Sequence, residues 1–153
     1  MLNKLELLLP PLPLTFFIAA LMWLIDQSLA VHIQFSGQAL FATFLLILGI
    51  LFIFPAAVSF IRAKTTVDPR TPNKSNSLVI TGLYRISRNP MYVGMVLCLL
   101  ALSLSQGNII NLMLSFAFVG YLNRFQIQPE EHFLKEKFGE QYVQYCTHVR
   151  RWI

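Results

Sequence analysis

Charge is scarce in this sequence. Asp, Glu, Lys and Arg make up 12% of its 153 residues and hydrophobic residues 56%, against the roughly 25% charge usual in a water-soluble domain. So little polar surface excludes an ordinary soluble domain of this length. Cysteine is nearly absent as well. Cys98 lies in an apolar run and Cys146 near the C-terminus; neither has metal-ligand spacing or a disulfide framework around it, and both read as ordinary thiols. A stripe of basic residues interleaved with polar ones is also missing. The net charge of +5 comes from Lys and Arg that flank apolar runs, which argues against a nucleic-acid partner and for anchoring at the cytoplasmic side of a membrane. There is no internal repeat and no low-complexity segment.

The apolar residues fall into runs. Leu14 to Ile25, extended to Val31, gives a first span of about 18 residues, near the lower limit for crossing a bilayer. Prolines 10, 11 and 13 and Glu6 precede it, which argues against a cleaved leader ending at Ser28-Leu29-Ala30. Ala39 to Ile61 forms a second run of about 23 residues, with Pro55 expected to kink it near its end. Arg62 to Asn76 carries Arg62, Lys64, Arg70 and Lys74, whereas the loop between the two spans has no Lys or Arg. That asymmetry places the N-terminus, the 62–76 segment and the C-terminus in the cytoplasm. Met91 to Ser105 and Ile109 to Tyr121 are shorter runs joined by Gln106-Gly107-Asn108, a tight turn. They predict a helical hairpin, both ends of which return to one side. The spacing of Phe133, Leu134, Phe138, Tyr142 and Tyr145 predicts one amphipathic helix over Glu130 to Cys146, with Glu130 and Glu131 in the first turn where the helix dipole favours them.

Two polar islands interrupt this pattern: Thr81-Gly-Leu-Tyr-Arg-Ile-Ser-Arg-Asn-Pro-Met-Tyr-Val-Gly94 and Arg124-Phe-Gln-Ile-Gln-Pro-Glu-Glu131. A hairpin between them makes them emerge on the same face. Pro90 suits the first position of a helix, Asn89 its cap, and a helix start offers free N–H groups to a carboxylate. Tyr84 and Tyr92 offer ring faces to an adenine or a cation. Structural alternatives stand beside these readings: a plain helix start, interfacial tyrosines as anchors, and a solvated acidic first turn. No nucleophile and base stand at a useful spacing. His32, His132 and His148 read as solvated or interfacial.

The ordered set Gly82-x-Tyr84, Arg88-Asn-Pro-x-Tyr92-x-Gly94, Glu130-Glu131, Phe138-Gly139 and Tyr142-x-x-Tyr145 resembles the isoprenylcysteine carboxyl methyltransferase family of integral-membrane enzymes and the related phospholipid methyltransferases. The resemblance covers roughly residues 60 to 152; residues 1 to 61 form the two N-terminal spans and 62 to 153 the catalytic region of one structural domain. It implies an all-α integral membrane protein with about four membrane-embedded helices, two spans plus the hairpin, and a C-terminal amphipathic helix. The implied cofactor is S-adenosylmethionine, lined by Ser77, Leu78, Val79, Tyr84, Asn89, Pro90, Met91 and Tyr92. Arg124, Gln126 and Glu130 would hold the methyl acceptor, with Arg124 and Glu130 as catalytic residues and Glu131 supporting the fold. Phe138-Gly139, Tyr142, Tyr145 and Val149-Arg-Arg-Trp152 resemble the family's C-terminal lid. One departure is Asn89, where many members carry His; a short hydrogen-bonding side chain remains, but a proton-transfer role there is lost.

The expected reaction is methyl transfer at the cytoplasmic membrane face, in a bacterial inner membrane, to a membrane-partitioned acceptor: an isoprenylcysteine-like carboxylate, a lipid, a quinone-like molecule or a small thiol. Displacement at a sulfonium in a dry site needs little acid–base help. Two other readings are a membrane reductase of the sterol double-bond type using NADPH, and a helical scaffold whose polar islands only anchor it.

Overall fold

The computed structural model describes residues 6–29, 32–63 and 77–153. The basic segment expected on the cytoplasmic side, with Lys64, Arg70 and Lys74, lies outside them, as does Lys4. Among the described residues six α-helices follow in order: α1 Pro11–Ser28, α2 Gln38–Arg62, α3 Pro90–Gln106, α4 Ile109–Tyr121, α5 Gln128–Phe138 and α6 Glu140–His148. A 3-10 turn, Gly82–Arg85, precedes α3, and a π-helical segment, Leu122–Ile127, joins α4 to α5. Among the described residues there is no strand, only the isolated bridges His32 with Asn108 and Ser87 with Arg150.

α1, with 18 residues, and α2, with 25, are long and apolar enough to cross a membrane. Their outward faces carry Phe16, Phe17, Trp23 and Leu24, and Leu40, Phe44, Ile47, Leu51 and Phe54, all exposed. Large apolar groups in such numbers suit hydrocarbon rather than water. α3 has 17 residues and α4 13, so at about 1.5 Å per residue α4 extends only about 20 Å.

α3 is the inner helix. Its Tyr92, Met95 and Leu99 pack with Met22 of α1, Phe118 of α4, and Leu122 and Ile127 of the π segment. Glycines let α2 and α3 approach closely: a Cβ on Gly49 would lie 2.8 Å from the Gly94 carbonyl oxygen, and one on Gly94 2.6 Å from that of Gly49. Small residues at such a crossing allow backbone-to-backbone packing. The expected turn closes the hairpin. Gly107 ends α3 at φ 66°, a left-handed conformation that costs glycine little, and the Asn108 side chain accepts from Ile110 N at 3.0 Å to start α4.

The region after α4 differs from the expected single amphipathic helix. α4 runs without a break through the π segment into α5, and Gly139 (φ 53°, ψ −126°) then separates α5 from α6. That backbone conformation is open only to glycine at low cost, so the periodic apolar pattern spans two helices. Pro129 sits inside the first turn of α5. Proline there cannot donate to the carbonyl four residues earlier, that of Phe125, which instead accepts from Leu7 N at 3.0 Å.

Candidate active site

The first polar island folds back on itself before α3 begins. Gly82 adopts φ 62° and opens the 3-10 turn that buries Tyr84. The Tyr84 ring meets Phe60 of α2 edge-on, with centroids 5.4 Å apart, beside Val79 and Met91. Its carbonyl accepts from the Tyr145 hydroxyl at 2.7 Å. Burial, with the charge of Glu130 nearby, pushes the Tyr84 hydroxyl well above its ordinary range. Val79 is buried with it, Leu78 is half-buried, and Ser77 is exposed, its hydroxyl donating to the Ala63 carbonyl at 3.4 Å.

Asn89 occupies the N-cap position of α3, and Pro90 the first helical one. The expected side-chain cap is not formed. Asn89 N donates to Ser87 Oγ at 3.0 Å, and its Nδ2 donates to the carbonyl of Arg151 at 3.0 Å. The cause is the C-terminal tail, which runs alongside this segment: Arg88 N donates to the Arg150 carbonyl at 2.9 Å, and Ser87 pairs with Arg150 as a parallel bridge. The tail also reaches the π segment through Trp152 Nε1, which donates to Asn123 Oδ1 at 3.1 Å.

The two islands meet at Tyr92 and Glu130. The Tyr92 hydroxyl donates to Glu130 Oε2 at 3.1 Å, joining the first turn of α3 to that of α5. Burial raises the Glu130 carboxyl to about 7, with the neighbouring Glu131 charge adding and the Tyr92 hydrogen bond opposing. Glu131 turns to the tail and to Arg88. It accepts from Arg151 Nε at 3.0 Å and Arg151 Nη2 at 2.7 Å, and Arg88 Nη1 lies 3.2 Å from its Oε1. Arg88 Nη1 also contacts Cys146 Sγ at 2.7 Å.

Arg124 and Gln126 point elsewhere. Arg124 Nη1 pairs with Glu6 at 2.9 Å and its guanidinium lies 5.5 Å from the Phe125 ring centre. Gln126 is fully buried; its Nε2 donates to the Leu9 carbonyl at 2.6 Å, and its Oε1 has no hydrogen-bond partner. Of the residues singled out in the sequence, the fold therefore brings Tyr92 and Glu130 into contact and sets Arg124 and Gln126 against the segment Glu6–Leu9. Arg88 opens the motif Arg88-Asn-Pro-x-Tyr92-x-Gly94 and Arg151 lies in Val149-Arg-Arg-Trp152, but nothing in the sequence indicates that the two converge on Glu131. A shallow groove of about 410 Å³ lies between the 3-10 turn and α6, lined among others by Ile80, Arg85, Gln144, Tyr145 and His148.

Residues 37–141 match the phospholipid methyltransferase family, a stretch that holds α2 to α5 and so both halves of the Tyr92–Glu130 junction. The chain belongs to the phospholipid methyltransferase family. Within that family, the chain is similar to protein-S-isoprenylcysteine O-methyltransferase B of Arabidopsis thaliana, 31% identical over 112 residues that make up 71% of this chain and 55% of the plant protein. It thus spans about half the length of that relative. An uncharacterized protein of Haemophilus influenzae is 41% identical over 63 residues, which cover 41% of this chain and all of that protein. No solved structure matches it. Family membership, with two helices long and apolar enough to cross a membrane, supports a membrane methyltransferase.

Proposed function

We propose that this phospholipid methyltransferase family member transfers a methyl group from S-adenosylmethionine to a membrane-partitioned acceptor at the cytoplasmic face. The observation that carries the reading is the 3.1 Å contact between Tyr92 and Glu130, which unites the island suited to a donor with the island suited to an acceptor. Features of this chain fit the donor. The first turn of α3 carries N–H groups without intrahelical acceptors, and Arg88 Nε is buried without a hydrogen-bond partner; both suit a carboxylate. Asn89, Pro90, Met91 and Tyr92 would hold it, with Ser77, Leu78 and Val79 as a wall. Tyr84, already packed on Phe60, would support that wall rather than offer a free ring face. When bound, the donor supplies an electrophilic methyl group on a sulfonium.

Glu130 then orients the acceptor. Its carboxyl is held by Tyr92 in a largely dry setting, where one fixed dipole or charge is worth more than in water. Arg124 and Gln126, which the family resemblance assigns to the acceptor, hold the segment Glu6–Leu9 beside it. The exposed faces of α1 and α2 contact lipid, from which a lipophilic acceptor reaches the site without crossing water. The distribution of Lys and Arg supports cytoplasmic termini.

Saturation binding of labelled S-adenosylmethionine and of NADPH to the protein in detergent tests the reading. Saturable binding of the first, weakened in Asn89→Ala without loss of fold, is expected. Binding of NADPH instead would mark a reductase, and binding of neither a scaffold.

A further inference from the structure

We propose that Glu131 is a positioning residue: it clamps the C-terminal tail and the start of α3 to α5 and so holds Glu130 against Tyr92. The proposal rests on the methyl-transfer reading for what Glu130 does, and on the geometry alone for how it is held.

Two neighbouring residues of α5 grip two residues four apart, Arg88 just ahead of α3 and Tyr92 in its first turn. Glu130 takes the Tyr92 hydroxyl, and Glu131 lies 3.2 Å from Arg88 Nη1. One contact between two helix starts leaves them free to pivot; two contacts fix their register. The tail closes the figure. Arg151 forks onto both oxygens of Glu131, while its carbonyl accepts from Asn89 Nδ2. Arg88, Glu131, Arg151 and Asn89 thus form a closed ring, the last link being the peptide bond between Arg88 and Asn89. A bidentate Arg–carboxylate pair restricts angle as well as distance. The carboxylate and the Arg88 side chain are 18% and 16% exposed, so salt screens that pair less than a surface pair, whereas Arg151 is 36% exposed and more open to screening. An acidic first-turn residue that only answered the helix dipole would face solvent and need no such partners. Glu136, near the far end of α5, shows what a solvated carboxylate on this helix does: it pairs with His132 at 3.2 Å, both well exposed.

If the ring acts as one unit, opening it at Glu131 loosens all three segments together. Hydrogen exchange on the protein in detergent reads this without any turnover. Glu131→Gln is expected to speed exchange about tenfold in peptides covering 86–93 and 146–153, while the control Glu136→Gln leaves both unchanged. Unchanged exchange at 86–93 in Glu131→Gln overturns the clamp, whatever the protein catalyses. The link to Glu130 is read by a double-mutant cycle on single-turnover transfer of labelled methyl from S-adenosylmethionine into the organic-soluble fraction of proteoliposomes of total membrane lipid. Glu131→Gln should slow transfer about tenfold in the wild-type background but less than about twofold in a Glu130→Gln background. Equal losses in both backgrounds would show Glu131 to be merely structural. Absence of transfer in the wild-type protein counts against the proposed function, and the exchange result still decides the clamp.

Discussion

At the scale of the residue, Glu130 carries the account, because a half-buried carboxyl raised to about 7 leaves a trace in stability. Its folded-state value lies above the ordinary 4.5, so the folded protein holds the proton more tightly than the unfolded chain. This contribution is full below the unfolded value and is lost as pH rises through about 7. Thermal stability should therefore fall between about pH 5 and about pH 8 by more in the wild-type protein than in Glu130→Gln; parallel curves would remove the raised carboxyl from the account. Tyr92→Phe deletes the hydrogen bond that opposes the rise, and should shift that fall to higher pH. The acidic pair itself was legible in the sequence, since Glu130 and Glu131 open a helix after an apolar run. That the two split their duties, one toward Tyr92 and the other toward Arg88 and Arg151, was not, because adjacent side chains on a helix point about 100° apart and only the neighbours decide where each goes. Asn89 shows the same limit: its position before Pro90 marked a cap, but a tail 62 positions away took its side chain.

At the scale of the element, apolar run length located α1 to α4 well, because helices in hydrocarbon must satisfy their backbone internally and end where polar residues begin. The α3–α4 turn was legible for a related reason: Gly107 and Asn108 each suit one side of it. The break at Gly139 was hidden because the apolar pattern keeps its period across it. The π segment was hidden too, since its partner is the backbone of Leu7, distant in sequence. The crossing of α2 and α3 yields a prediction of its own. In Gly94→Ala the new methyl group would stand 2.5 Å from Ile53 Cγ1 and 2.6 Å from the Gly49 carbonyl oxygen, and one of those atoms is backbone. Overpacking of this kind costs about 1–3 kcal/mol, which should appear as a lower unfolding temperature in detergent. Gly120→Ala, with nothing within 4 Å of the added group, should be neutral or slightly stabilising; equal losses in the two would show that close approach does not set the crossing.

At the scale of the whole molecule, the site sits at one end of the bundle, where the starts of α3 and α5 and the C-terminal tail converge, and the α1–α2 connection with the α3–α4 turn occupies the other end. His32 of that connection bridges to Asn108 of the turn. Composition alone had pointed to a membrane, but which end faces the cytoplasm rests on Lys and Arg placement. Single cysteines at Ser36 and at Glu140, in a background without Cys98 and Cys146, should label from opposite sides of sealed vesicles; labelling from one side would separate the site from the expected cytoplasmic face. The central claim, that the Tyr92–Glu130 junction performs methyl transfer, is met most directly by pairing S-adenosylmethionine affinity with single-turnover methyl transfer in Glu130→Gln. The account predicts affinity within about twofold of the wild-type value and transfer slower by at least about tenfold, since loss of acceptor positioning raises the barrier without touching the donor. Transfer at the wild-type rate in Glu130→Gln would contradict it.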